Sequence, residues 1–393
     1  MNAFKPRILM VSYPFDKNVP AGGSLQAIRL SKEIFKKLPV IAIGSSLING
    51  IRKPTLEFVE GIPTYRLYFD AKRSKVLRTL DLLILMIKLR NLFDIVHFHG
   101  FDMYPICIFA KLILRKKTVI KITLNGQDDP LSKLNRSYIF LNLKFKLKSI
   151  KLFLFNQIDK VITISNELYF NSRKVFTKSK LERIPNGVNI DIFCEVDKKR
   201  KNDIRKRLHF KNDDKIALYV GHFGKRKGIP ELVEAWKYVD EAKLILLGTF
   251  FLEGFDPCSF NSFINQIKKN ENVITFPYTN NPAEFYQIAD LFVFPSKREG
   301  LPNAILEAMS CNLPILAFNG NWTNGLLNSN NCILFDKLNP RIIAEEVNYF
   351  FKNHYRHKDN ELKNHTRKII EKDFALSKIA ENFISLYREL FIK

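Results

Sequence analysis

The chain has 393 residues, 46% of them hydrophobic, with 34 phenylalanines and a formal net charge of +24. That length exceeds one ordinary core and calls for two domains, and that apolar content excludes a largely disordered chain. The excess of Lys and Arg (63) over Asp and Glu (39) points to a polyanionic partner: nucleic acid, an anionic membrane, or a phosphorylated substrate.

Five scattered cysteines (Cys107, Cys194, Cys258, Cys311, Cys332) form no Cys-x-x-Cys pair and are odd in number. They argue against a disulfide framework or zinc knuckle and fit a reducing compartment. The N-terminal "MNAFKPRILMVSYPF" lacks a small-residue cleavage site and reads as a first strand, not a leader. The most apolar stretch, Leu80–Leu89, is broken by Asp81 and Lys88 and is too short to span a bilayer.

In chain order, "RILMVSY", "PVIAIG", "DIVHFH", "TVIKIT" and "KVITIS" read as buried strands separated by amphipathic helices. "KIALYVG", "AKLILLG", "NVITF", "LFVFP" and "LPILAF" repeat the plan in the second half. Such alternation predicts two doubly wound α/β domains with parallel sheets, facing across a cleft at the carboxyl ends of their strands. Expected bounds are 1–195, 196–376, and a closing amphipathic helix over 377–393. The linker falls around 191–198, beside the charged run Cys194–Lys215. Ile379, Phe383, Leu386 and Leu390 share one face of the closing helix, and Ser377 suits its N-cap.

Within 138–157, Phe140, Leu143, Leu147, Ile150 and Leu154 form a helical stripe beside Lys144, Lys148 and Lys151. A basic amphipathic helix of this kind suits a membrane surface. A packed helix with a solvated lysine face is the bland alternative, and "LKFKLK" even allows a strand.

The chemistry concentrates in "SKREGLPNAILEAM", Ser296–Met309. Pro302 fits the first helical position, since its missing N–H would be unpaired there anyway. A helix over 302–310 leaves amides such as those of Leu301 and Asn303 to receive phosphate oxygens. Glu299 precedes the helix, and Glu307 lies about 7.5 Å along it from Pro302. Two carboxylates thus flank an anion site, as suits a nucleotide sugar with hydroxyls at both ends and a diphosphate between. Taken singly, each Glu reads better as an ordinary helix residue than as a ligand.

Glu299, Glu307 and the intervening "GLPNAIL" resemble the E-x7-E motif of family-4 retaining glycosyltransferases, which have the GT-B fold. Further motifs follow in that family's order: "PAGGSLQAIRLSKEI" (Pro20–Ile34), "FDIVHFHG" (Phe93–Gly100), "RIPNGVNIDIF" (Arg183–Phe193) and "LYVGHFGKRKGIPELVEAW" (Leu218–Trp236). The resemblance implies that Glu299 binds donor-sugar hydroxyls, Glu307 the ribose, and Arg226 with Lys227 the diphosphate leaving group. It implies that Gly22 and Gly23 let the backbone approach diphosphate or acceptor. His222 stands where the family has Arg, and Asn125 where it often has His, so a proton role is not implied at Asn125. His97 and His99 sit near a strand end and could face the cleft, but satisfied structural histidines are the favoured reading.

The implied reaction is metal- and cofactor-free transfer of a sugar, UDP-linked, to a lipid-linked oligosaccharide in bacterial surface polysaccharide or lipopolysaccharide assembly. The implied location is cytoplasmic, peripheral on the inner face of the plasma membrane. No Asp-x-Asp, P-loop or His-Glu-x-x-His motif occurs. A soluble transferase, or an epimerase on the same fold, is the enzyme alternative. A basic nucleic-acid-binding protein is the other class. The phenylalanines fall within strand and helix patterns instead of interleaving with exposed cations, so no nucleic-acid partner is expected.

Overall fold

The structure, a computed structural model, describes residues 5–19, 21–48, 52–70, 74–124, 129–135, 141–250, 256–328, 331–354 and 366–392. The chain forms two compact units, Met1–Gly187 with Leu376–Lys393, and Val188–Ala375.

The first unit holds an eight-stranded sheet of β1 (Ile8–Val11), β2 (Val40–Ile48), β3 (Thr55–Val59), β4 (Ile62–Asp70), β5 (Ile95–His99), β6 (Lys117–Ile122), β7 (Lys160–Thr163) and β8 (Leu181–Arg183). Its order is β3-β4-β2-β1-β5-β6-β7-β8, parallel throughout except for the β3–β4 pair. Helices α1 (Gly22–Phe35), α2 (Lys75–Leu89), α3 (Tyr104–Leu112), α4 (Pro130–Asn135), α5 (Leu141–Phe155) and α6 (Asn166–Ser172) connect the strands. The five expected strands are all present; the β3–β4 hairpin and β8 are additional. Glu60 and Gly61 turn the hairpin with φ of 51° and 83°, the two-residue geometry that suits the twist of the flanking strands.

The second unit has a six-stranded parallel sheet: β9 (Lys215–Phe223), β10 (Ala242–Phe250), β11 (Val273–Phe276), β12 (Leu291–Phe294), β13 (Ile315–Phe318) and β14 (Ile333–Phe335). Its helices are α7 (Lys198–Arg207), α8 (Ile229–Ala235), α9 (Pro257–Lys269), α10 (Ala283–Ile288), α11 (Asn303–Ser310) and α12 (Pro340–Tyr349). The order β11-β10-β9-β12-β13-β14 reverses direction between β9 and β12. In open α/β sheets, ligands bind beyond the carboxyl ends of the strands at such a switch point.

The last helix, α13 (Leu376–Ile392), belongs to the first unit and packs on α1. Ile379, Phe383, Leu386 and Leu390 are buried, as their shared face predicts. The helix starts at Leu376, so Ser377 lies in its first turn and is not the cap.

The unit boundary lies between Gly187 and Val188, upstream of the expected 195/196. The physical reason is apolar anchoring inside the expected linker. Phe193 is buried, with its ring 5.7 Å from that of Tyr286. Its carbonyl accepts from Ser310 Oγ at 2.5 Å and Arg367 Nη1 at 2.9 Å. The charged run after it is α7, capped by Asp197 and pinned by the buried Arg205–Asp290 pair at 2.8 Å.

Candidate active site

Two loops meet at the switch point of the second unit. One follows β9 and carries Arg226 and Lys227 in a short 3-10 turn, Lys225–Lys227; the other follows β12 and carries Ser296 to Glu299. Backbone contacts zip them together: Lys297 N–H donates to the Arg226 carbonyl at 3.3 Å, and Arg226 Nη1 to the Arg298 carbonyl at 2.6 Å. Gly228 makes this approach possible. Its φ is 72°, and a Cβ there would stand 2.4 Å from the Pro295 carbonyl oxygen.

Glu299 is the centre of the cluster. Its Oε1 accepts from Lys227 Nζ and from Ser296 Oγ, each at 2.5 Å, and lies 3.6 Å from Arg226 Nη1. Among the described residues its Oε2 accepts no hydrogen bond. Lys227 Nζ also stands 5.7 Å from the centroid of the Phe294 ring. Trp322 fixes the loop from below, donating Nε1–H to the Ser296 carbonyl at 2.9 Å.

Glu307 is buried on α11, where Tyr286 O–H donates to its Oε2 at 2.8 Å. Pro302 is the N-cap with an extended backbone, one residue outside the expected first position, and no side chain caps the helix. Leu301 is buried just before that cap, and Asn303 opens the helix. His222, near the end of β9, is half-buried with Nδ1 3.2 Å from Thr249 Oγ1.

The structure thus gathers Glu299, Arg226 and Lys227 and sets Glu307 on the helix that follows. Ser296, Tyr286 and Trp322 were not singled out from the sequence. Only Ser296 left a local signal, standing three residues before Glu299. Two adjacent cations holding one carboxylate, beside an uncapped helix N-terminus, can bind a diphosphate and keep a hydroxyl acceptor next to it.

The remaining candidates lie elsewhere. Gly22 and Gly23 open α1 in the first unit, exposed and without a side-chain cap. Asn125 lies outside the described residues, as does the side chain of Lys144. Lys148 is exposed, but Lys151 is half-buried and donates Nζ to the Lys133 carbonyl at 3.1 Å. His97 and His99 are buried and stacked, ring centroids 4.6 Å apart, with His97 Nδ1 2.6 Å from Tyr387 O–H. Among the described residues, His97 Nε2 and both ring nitrogens of His99 have no partner, so these histidines are only partly satisfied.

Residues 48–192 match the profile described as Glycosyltransferase Family 4, and residues 200–369 that of Glycosyl transferases group 1. The chain belongs to the family-4 glycosyltransferases. Its two parallel α/β units are those of the GT-B fold. Among the family's curated members it is similar to the putative teichuronic acid biosynthesis glycosyltransferase TuaC of Bacillus subtilis. The identity is 25% over 324 residues, covering 80% of this chain and 77% of TuaC. It is 24% identical over 386 residues to the UDP-Gal:alpha-D-GlcNAc-diphosphoundecaprenol alpha-1,3-galactosyltransferase of Escherichia coli, covering 93% of this chain and 94% of that one. In fold it is similar to Anabaena Alr3699/HepE, solved in complex with UDP-glucose: TM-score 0.75 at 15% identity, covering 98% of this chain and 100% of the other.

Proposed function

We propose that this glycosyltransferase moves a sugar, with retention, from a UDP-sugar to a lipid-linked saccharide during assembly of a bacterial surface polysaccharide. The observation that carries the reading is the Glu299–Lys227–Arg226 cluster at the switch point, with Glu307 on α11. The name of the Escherichia coli relative gives UDP-Gal and a diphosphoundecaprenol-linked GlcNAc, which supports the donor and acceptor classes, while that of TuaC, a putative teichuronic acid biosynthesis glycosyltransferase, supports only the polysaccharide class.

In the proposed reaction, an acceptor hydroxyl oxygen bonds to the anomeric carbon on the face from which the carbon–oxygen bond to the diphosphate breaks. The hydroxyl proton passes to the departing phosphate oxygen. Arg226 and Lys227 stabilise the charge that develops on the diphosphate, usually the largest catalytic contribution, so no divalent metal is required. Glu299 Oε2 accepts from a hydroxyl of the transferred sugar, and Glu307 from the ribose, while Tyr286 holds the Glu307 carboxylate in place. The amides at the start of α11, around Leu301 and Asn303, receive phosphate oxygens. His222, near the end of β9, adds a further donor contact in the second unit.

The protein works at the cytoplasmic face of the membrane as a peripheral enzyme, with the exposed Lys148 toward anionic lipid. No helix among the described residues is long and apolar enough to cross a membrane. Saturation-transfer NMR against a panel of UDP-, GDP- and ADP-sugars tests the donor. Mass analysis of products formed on a polyprenyl-diphosphate saccharide tests the acceptor. Saturation transfer confined to non-uridine nucleotides, or a changed sugar without any acceptor, would overturn the reading.

A further inference from the structure

Helix α2 is apolar on two opposite sides, and among the described residues only one of them is covered. Leu82, Leu85, Met86 and Leu89 form its buried side. At 100° per residue, Val76, Leu80, Ile84 and Ile87 fall in a single stripe on the other side, with Leu77 beside them. These five are 39–69% exposed. A helix that is apolar all round is normally enclosed, so a stripe left open on one side needs a covering partner.

We propose that this stripe of α2 is a docking surface for an anionic lipid bilayer. Charge selects that occupant. Residues 74–90 carry four cations (Lys75, Arg78, Lys88, Arg90) and one carboxylate, Asp81. Lys88 and Arg90 are exposed and fall on the two margins of the stripe. A second copy of the chain would bring the same cations against these and be repelled, whereas acidic headgroups would be attracted. At 15 residues, α2 is about 22 Å long, suited to lying in the interface and not to crossing it. Its N-terminal end follows β4 and so stands at the carboxyl end of the sheet, the end that carries ligands in such folds.

The inference deepens the lipid-linked acceptor reading and leans on it for the bilayer as natural partner. The binding test itself does not need the transfer reaction. The full chain is floated with vesicles of phosphatidylglycerol and phosphatidylcholine in equal parts, and with phosphatidylcholine alone. Wild type is expected to bind the anionic vesicles. The Leu80→Glu/Ile84→Glu double variant should bind about tenfold more weakly or worse, because two side chains no longer enter the apolar region. The Lys88→Glu/Arg90→Glu variant should lose the preference for phosphatidylglycerol. Ile84→Trp, in a unit that has no other Trp, should shift its emission to the blue on vesicles and be quenched by brominated acyl chains.

All these side chains are exposed, so thermal unfolding should match wild type and exclude misfolding as the cause. Anionic-vesicle binding that survives Leu80→Glu/Ile84→Glu, or an Ile84→Trp emission that vesicles leave unchanged, overturns the proposal. So does a lipid-free dimer that the same double variant dissociates, which would give the stripe to a second copy. Vesicle binding lost in the variants, in a protein that transfers sugar only to water-soluble acceptors, would sustain the docking surface and remove the lipid-linked acceptor instead.

Discussion

Replacing Glu299 by Gln separates the roles assigned to the cluster, because it keeps the side-chain shape while removing the charge and turning one acceptor oxygen into a donor NH2. In the free protein, Glu299 Oε1 is shared by Lys227 Nζ at 2.5 Å, Ser296 Oγ at 2.5 Å and Arg226 Nη1 at 3.6 Å. The Glu299 and Lys227 side chains are only 9% and 15% exposed, so this is more than a screened surface pair. A charged hydrogen bond in such a setting contributes about 1.5–3 kcal/mol, and its loss leaves Lys227 poorly solvated and unpaired. For a unit of this size, that lowers its melting temperature by about 3–12 °C.

Diphosphate binding should respond in the opposite direction. With no carboxylate competing for the two cations, the Kd for UDP falls by about tenfold, equivalent to about 1.4 kcal/mol. Turnover nevertheless drops by about a hundredfold or more, because the sugar has lost the acceptor that orients it as charge develops. Isothermal calorimetry with UDP, run beside a transfer assay and a melting curve, reads all three effects. A UDP affinity that falls in step with turnover would refute the assignment, since Glu299 would then be a nucleotide ligand and not a sugar ligand.

Glu307→Ala should weaken UDP by about 1.5–3 kcal/mol in the same calorimetry, and Tyr286→Phe by about 0.5–1.5 kcal/mol, since the tyrosine only holds the carboxylate. Equal affinity for wild type and Glu307→Ala would remove the ribose role. Transfer should continue in EDTA, while Lys227→Ala should lose at least about a hundredfold in kcat; manganese-dependent recovery after EDTA would contradict this. Burial lowers the Lys121 ammonium from 10.5 to about 7 and holds His97 and His99 well below the usual imidazole range. The unfolded chain therefore binds more protons than the folded one, so stability rises from about pH 7 to 10.5 through Lys121 and falls below about 6.5 through the histidines. Lys121→Met should flatten the upper limb and add up to about 5 kcal/mol at pH 7, read by chemical denaturation followed by circular dichroism.

The central strands were legible because a parallel strand buried on both faces is a continuous apolar run, as in "RILMV" and "KIALYV". Strands β8 and β14 escaped because three residues at a sheet edge carry too little pattern. The β3–β4 hairpin escaped because "TLEFVEGIPTYRLYFD" alternates and turns on Glu60-Gly61, a signal unlike that of its neighbours. The unit boundary was misplaced because charge density marks exposure and not chain division: Phe193 anchors the preceding segment more firmly than the lysines loosen it.

In the site, the carboxylate spacing and the Arg-Lys pair lie within short stretches of sequence and could be read there. What holds them could not. Tyr286 is 21 residues from Glu307, and Trp322 is 26 from Ser296, so those contacts exist only once β12 and its neighbours are assembled. Lys151 shows the opposite failure. Its helical position predicted an exposed lysine, yet a nearby free carbonyl, that of Lys133, captured it.

On the proposed diphosphate role of this site, the pairing of Glu299 with two cations also accounts for an acidic residue at its centre. Arg226 and Lys227 must stand close together to grip a diphosphate, and two cations in a partly dry pocket repel one another when it is absent. Glu299 offsets that repulsion by serving as their counter-ion in the free protein, which keeps both side chains in place and limits the reorganisation needed at binding. An arriving diphosphate brings more negative charge than the carboxylate supplied, so it takes over the cations. Glu299, still tethered by Ser296, is then left beside the leaving group with its second oxygen turned to the sugar. On this reading the ion pair and the sugar contact are successive states of one side chain. The same reasoning fixes the order of effects in Ser296→Ala: UDP affinity should barely change, while KM for the complete nucleotide sugar should rise, because only the freed carboxylate has lost its tether. A Ser296→Ala enzyme that loses UDP affinity and sugar discrimination equally would show that the loop after β12 acts as one rigid body, and the two-state role of Glu299 would have to be abandoned.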